Sequence, residues 1–202
     1  MNTLGDTIRS FRKSQDRTIQ ELSTATGLST AFISRMERGE INPSIASIMK
    51  IARALHITMV DLFQEAGAPE AAAPGGTGNE TGGEARHADT LEVVHRERRR
   101  QLVYPGLNFS EYLLTPSMRN VGIEFIYHVS EPGATSGEEY YSHTGEECIL
   151  VLKGELSLWV EEQELSLKEG DSVHFRSEQP HHWENQGRTA VEAVWVVVPP
   201  TY

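Results

Sequence analysis

Tyr141-Ser142-His143-Thr144-Gly145-Glu146-Glu147, followed by the apolar run Cys148 to Leu152 and by Lys153-Gly154, is the stretch on which the fold of this chain turns. His143 and Glu147 are four positions apart, so on an extended strand, where side chains alternate, both point to one face. Tyr141 shares that face. A second histidine stands in Pro180-His181-His182-Trp183-Glu184-Asn185, after the strand-like run Asp171 to Phe175. An inward imidazole and carboxylate, joined by an imidazole from a neighbouring strand, form the two-histidine, one-carboxylate type of metal site. The same residues also read as a hydrogen-bonded cluster inside a barrel with no metal. Spacing alone leaves both open.

Around this stretch lie many short strand-like runs. Tyr112 to Leu114, Gly122 to Val129, Leu165 to Leu167, Asp171 to Phe175 and Ala190 to Val198 alternate with turns, and Glu147–Leu152 and Glu155–Val160 read as a hairpin through Lys153-Gly154. A further strand is expected at Leu91 to Val94. Regularly spaced short strands predict a sandwich or barrel. The runs Cys148 to Leu152 and Val194 to Val198 read as buried strands, far short of the roughly 20 residues of a membrane helix. Cys148 is the single cysteine, so no internal disulfide forms, which fits a reducing cytoplasm. Its neighbour Glu147 faces the proposed site, so Cys148 points away from it and is expected to be a buried structural thiol.

Residues 1–65 differ in kind. Thr3 with Asp6 and Thr18 with Glu21 have capping-box spacing, and Leu4, Ile8 and Phe11 form an apolar helical stripe. A helix from Thr18 ends at Gly27, a second starts after Ser29, and Asn42-Pro43-Ser44 opens another with Ile45, Ile48, Ile51, Ala52 and Leu55 inward. Thr58-x-x-Asp61 opens a last short helix with Leu62 and Phe63. The pair Thr18–Thr26 and Ser29–Arg38 has a helix-turn-helix layout. The net charge of −11 fits DNA binding once it is divided. Residues 1–65 carry eight Lys/Arg against seven Asp/Glu, and the remainder ten against 22, so the acidity belongs to the C-terminal part. Residues 66–88, rich in Gly, Ala, Pro and Glu, read as a flexible linker. His95 to Arg100 reads as a solvated strand edge or turn. No signal peptide is expected, because the N-terminus lacks a basic region followed by an apolar one.

Two resemblances follow from these residues. Gln20-Glu21-Leu22, Gly27-Leu28-Ser29, Ile33 to Gly39, Asn42-Pro43-Ser44 and Ala52 to Leu55 closely resemble the Cro/repressor-type (XRE) DNA-binding domain. The resemblance implies that Arg12 pairs with Glu37 inside the domain. It also implies that the third helix enters the major groove with Ser29, Thr30, Ala31, Ser34 and Arg35 facing the bases. Arg35 is the candidate for guanine, and Arg38, Lys50 and Arg17 are the candidates for phosphates.

Tyr141-x-His143-x3-Glu147-x6-Gly154 with Gly170-x10-His181-x3-Asn185 resembles the two motifs of the cupin superfamily. The family's fullest form has a histidine where Tyr141 stands, and often Pro and Gly at Arg176 and Glu178. The carried-over metal ligands are His143, Glu147 and His181, for a divalent ion such as Zn, Fe, Ni or Mn, with Tyr141 and Trp183 in an effector pocket. The expected architecture is α plus all-β. It comprises a five-helix helix-turn-helix domain over residues 1–66, a flexible linker over 67–90, and a cupin double-stranded β-helix (jelly roll) over 91–202.

The combination resembles bacterial transcription regulators with an N-terminal Cro-type domain and a C-terminal cupin sensor, including those of the putrescine-utilisation-repressor type. That implies a cytoplasmic homodimer, joined through the cupin domain, with no membrane association. It would bind a palindromic operator in double-stranded DNA and respond to a small-molecule effector, a polyamine or amino acid at the family level. The alternative resemblance is to hydroxypropylphosphonate epoxidase, a cupin metalloenzyme with mononuclear iron on two histidines and one glutamate, near which Tyr104 or Tyr112 would lie.

Overall fold

The computed structural model describes residues 3–57, 59–64, 91, 93–104, 106–116 and 122–200. The expected linker, and Thr58 at the start of the last helix, lie outside them.

The helical part starts as its caps dictate. Thr3 accepts the Asp6 N–H at 3.2 Å while Asp6 Oδ2 accepts the Thr3 N–H at 3.0 Å, opening α1 (Leu4–Ser14). Thr18 and Glu21 do the same for α2 (Ile19–Thr26), which Gly27 ends in the left-handed conformation. Ser29 and Ser44 cap α3 (Thr30–Glu37) and α4 (Ile45–Leu55), each accepting an N–H of the first turn. A short helix, α5 (Met59–Gln64), follows. Ile8, Leu22, Ile33, Met36, Ile48, Ile51 and Leu55 form the core between the helices. Arg12 and Glu37 cross it as a buried two-pronged ion pair, Nε–Oε1 2.6 Å and Nη2–Oε2 2.8 Å. Helix α4 departs from the expected single stripe. Ala46, Ser47 and Met49 are buried as well as Ile45, Ile48, Ile51, Ala52 and Leu55, so the helix is enclosed on nearly all sides.

After the 3-10 turn Arg96–Arg98, nine strands follow among the described residues. They are β1 (Gln101–Tyr104), β2 (Phe109–Leu113), β3 (Glu124–Ser130), β4 (Glu146–Lys153), β5 (Glu155–Val160), β6 (Gln163–Lys168), β7 (Ser172–Arg176), β8 (His181–Glu184) and β9 (Val191–Val198). One antiparallel sheet runs β1-β2-β3-β9-β4-β7 and the other β6-β5-β8. Leu102, Phe109, Leu113, Ile126, Ile149, Val151, Leu156, Leu158 and Trp183 supply buried side chains from both sheets. No described helix is long and apolar enough to cross a membrane.

Four expectations need correction. β4 and β5 are not a hairpin: β4 pairs with β7 and β9, and β5 with β6 and β8. Lys153-Gly154 is therefore a corner where the chain passes between sheets, beside a register shift at Val151/Lys153. Leu91, Val93 and Val94 form no strand, and Leu91 is 95% exposed. The Cys148–Leu152 run is buried on one face only, with Leu150 and Leu152 exposed. Cys148 is accordingly an exposed thiol on the outer face, pointing away from the inner face as expected.

Candidate functional site

On α3 the expected base-reading residues form an open surface. Ser29, Thr30, Ala31, Arg35 and Arg38 are exposed and Ser34 is half-buried, while Ile33, Met36 and Glu37 face inward. The Arg12–Glu37 pair ties α3 to α1 from behind. The basic side chains are less free than their charge implies. Arg38 forks onto Glu40 (Nε–Oε1 2.5 Å, Nη2–Oε2 3.0 Å) and reaches Ser34, and Arg35 Nε lies 3.8 Å from the same Glu40. Arg17 donates to the Ala54 carbonyl at 2.5 Å, and Lys50 pairs with Glu139 of the barrel. Arg17 and Lys50, expected at phosphates, are thus engaged inside the protein.

The second site is built by strand alternation. Burial alternates along β4, so Glu147, Ile149 and Val151 face the interior. His143 stands just before β4, and its N–H donates to the Ser177 carbonyl at 2.9 Å. His181 opens β8 and exchanges backbone hydrogen bonds with Tyr141 at 3.0 Å in both directions. These placements bring His143 Nε2 to 2.7 Å and His181 Nε2 to 3.2 Å from one atom, Glu147 Oε1. All three residues are buried, and their ligand atoms lie within 4.8 Å of one another.

The other ring nitrogens fix the orientation. His143 Nδ1 faces the Thr144 carbonyl at 3.2 Å and His181 Nδ1 the Gln179 carbonyl at 2.8 Å. A carbonyl only accepts, so each Nδ1 carries a proton, and in the neutral ring each Nε2 turns a lone pair toward Glu147. Glu147 Oε1 and His181 Nε2 make no hydrogen bond despite their short separation. Two lone pairs and an anionic oxygen therefore converge with no proton between them, an arrangement that a cation satisfies. Glu147 Oε2 is held separately by the Trp195 indole N–H at 2.7 Å. The donor set fits a divalent metal.

A cavity of about 40 Å³ lies against this cluster. Tyr141 and Trp183, expected there, line it. The Tyr141 phenol is held neutral, because burial and then Glu147 and Glu111 raise its pKa well above the usual value. Sequence reading missed Glu111, Glu124, Trp195, Ile45 and Met49, which also line the cavity. The first three carried a signal. Glu111 sits between Phe109 and Leu113, Glu124 two before Ile126, and Trp195 between Ala193 and Val197, all at inward positions of alternating strands. No Lys or Arg stands among the described lining residues, against three carboxylates. Tyr104, placed near an iron in the enzyme alternative, donates to Glu111 at 2.6 Å, whereas Tyr112 packs on Tyr127 with ring centroids 6.0 Å apart. Asn185 is structural, donating to the Ser130 and Thr189 carbonyls.

Helical domain and barrel together define the class: a DNA-binding transcription regulator of the helix-turn-helix type with a C-terminal cupin domain. Residues 8–62 match the helix-turn-helix family model and residues 126–197 the cupin domain model. The chain is 23% identical over 198 residues to the HTH-type transcriptional regulator PuuR of Escherichia coli (strain K12), covering 98% of this chain and 96% of that one. It is 23% identical over 188 residues to the HTH-type transcriptional regulator SutR of the same strain, covering 93% and 90%. An HTH_3 family transcriptional regulator from Vibrio cholerae has the same fold, with a TM-score of 0.64 at 22% identity over 98% of this chain and 96% of that one.

Proposed function

We propose that this regulator is a cytoplasmic homodimer that reads a palindromic operator with α3 and senses a small effector in its cupin cavity through a divalent metal. His143, Glu147 and His181 would hold the ion. Bound there, it supplies a Lewis-acidic centre with open positions for donor atoms of the effector. The observation that carries the reading is the convergence of two imidazole lone pairs on one carboxylate oxygen, with both Nδ1 atoms tied to carbonyls. Three carboxylates in the cavity lining, Glu111, Glu124 and Glu147, would suit an effector bearing an amine.

Ser29, Thr30, Ala31, Ser34 and Arg35 would face bases and Arg38 a phosphate, which agrees with their positions on α3. The dimer reading draws on the outer face of the larger sheet. Across the strands, Phe125 is opposite Val196 and Val196 opposite Cys148, while Val194 is opposite Leu150. That apolar row is exposed at Phe125 and Leu150, and Leu152 and Val198 extend it. The enzyme alternative has no observation of its own, and the relatives matched end to end carry the names of regulators.

The test is metal analysis of gently purified protein beside operator binding. Wild type should retain close to one divalent ion per chain. His143→Ala with His181→Ala should retain none, bind operator as wild type does, and lose the response to effector. A metal-free wild type that still responds fully would remove the ion from the function.

A further inference from the structure

The cavity is not enclosed by the barrel alone. Its lining includes His143 and Glu147 of the candidate metal cluster, but also Ile45 and Met49, which belong to α4 of the helical domain. The contact that brings them there is specific. The Ile45 N–H, one of the donors that a helix start leaves unpaired, is taken by the Ser136 carbonyl of the barrel at 3.1 Å. Lys50 pairs with Glu139, and Arg53 Nη2 donates to the Ser142 carbonyl at 3.2 Å. Backbone fit adds to this. A Cβ on Gly137 would stand 2.5 Å from Ser44 Cβ, and one on Gly106 would stand 1.8 Å from Asn42 Nδ2, so glycine at both points lets the loop before α4 seat against the barrel.

Besides Gly106, the barrel's side of this contact is the short segment Ser136 to Ser142, which contains Tyr141 and leads directly into His143. The same few residues therefore hold α4 on one side and shape the candidate metal site on the other. Burial of Ala46, Ser47 and Met49, beyond what the helical core requires, shows how fully α4 is enclosed.

We propose that the small-molecule site belongs to both domains, with Ile45 and Met49 of α4 as its roof, so that a docked α4 and a ligand of more than a few heavy atoms exclude each other. The size of the cavity sets the limit. It measures about 40 Å³, and each water needs about 10–15 Å³, so with α4 docked the site has room for about three waters. A larger effector must raise α4, and it then meets a polar floor and an apolar flank at Ile126, Trp183 and Trp195. Linkage makes the effect reciprocal: whatever holds α4 down weakens the ligand, and the ligand frees the DNA-binding domain. The inference rests on the cavity being the effector site.

Acrylamide, a neutral quencher larger than the closed cavity admits, tests it in the full chain. Trp183 and Trp195 line the cavity, and Trp159 → Phe removes the third tryptophan from the signal. In that background wild type should be poorly quenched. Lys50→Glu with Arg53→Glu, both at the domain contact, should raise the Stern–Volmer constant severalfold with unchanged circular dichroism. Adding Glu139→Lys should bring it back toward wild type. Equal quenching of wild type and the double variant overturns the proposal, and so does a rise that Glu139→Lys fails to reverse. Zinc retention, measured on the same proteins, separates the two readings. Protein without zinc that shows the quenching pattern loses the metal and keeps the roof; protein with zinc and no change in quenching loses the roof alone.

Discussion

Trp195 donates its indole N–H to Glu147 Oε2 at 2.7 Å, which leaves Glu147 Oε1 as the oxygen that faces both imidazoles. A carboxylate held this way has lost its freedom to rotate before any ion arrives. Trp195→Phe keeps the apolar packing and removes the donor. Partners of this kind are typically worth about 10–100-fold in metal affinity. The variant should bind zinc more weakly by about that factor, read by competition with a chromophoric chelator, with operator binding unchanged.

Arg35 is exposed on α3, with Glu40 3.8 Å from its Nε. Arg35→Ala should cost operator affinity about 1–3 kcal/mol, the worth of one two-pronged base contact. Gel shifts on the operator and on a scrambled duplex check it, since the loss should be specific to the operator. If Arg38→Ala abolishes operator binding while Arg35→Ala changes nothing, Arg38 takes over the reading role.

Glu37 is buried against Arg12 of α1, behind the proposed DNA-reading face. Glu37→Ala strands a buried guanidinium and should destabilise the helical domain by about 3–5 kcal/mol, measured by urea unfolding. Arg12→Met with Glu37→Leu should cost much less, because neither charge is left unpaired.

Leu150 sits on the exposed outer face of the larger sheet, opposite Val194. If two copies meet there, Leu150→Glu buries a charge at the contact and should shift sedimentation from dimer to monomer. An unchanged dimer would place the interface elsewhere.

Asp6 and Glu21 have carboxyl pKa values below the usual range, each mainly through the backbone N–H of the capped threonine, Thr3 or Thr18. A lowered folded-state pKa means stability that is complete above the unfolded-state value and lost as pH falls through the folded one. Thermal unfolding of the helical domain should therefore weaken on acidification through the carboxylate range. Asp6→Asn with Glu21→Gln, which removes the two titrating groups, should flatten that dependence.

Local signals were legible in the sequence. The capping boxes at Thr3 and Thr18, the turn at Gly27 and the convergence of His143, Glu147 and His181 all follow from spacing or from family resemblance. Signals that depend on what a segment meets later were not. The run Cys148 to Leu152 is equally apolar whether its outer face meets protein or nothing in the chain, so burial on both faces was a wrong reading of one-sided alternation. Lys153-Gly154 has the composition of a hairpin turn, but the strands that pair with β4 are β7 and β9, about twenty and forty residues on. Met49 carries no mark of its role, because a residue on a helix names its own face and not the domain it will touch.

Glu40 has one more consequence. Any phosphate that reaches Arg38 finds the guanidinium already occupied by a carboxylate of its own chain, so the protein holds an internal rival to the DNA backbone. Contact with that phosphate is then an exchange of one anion for another. It releases fewer counterions than a bare arginine would, which flattens the salt dependence of non-specific binding and leaves base contacts a larger share of the discrimination.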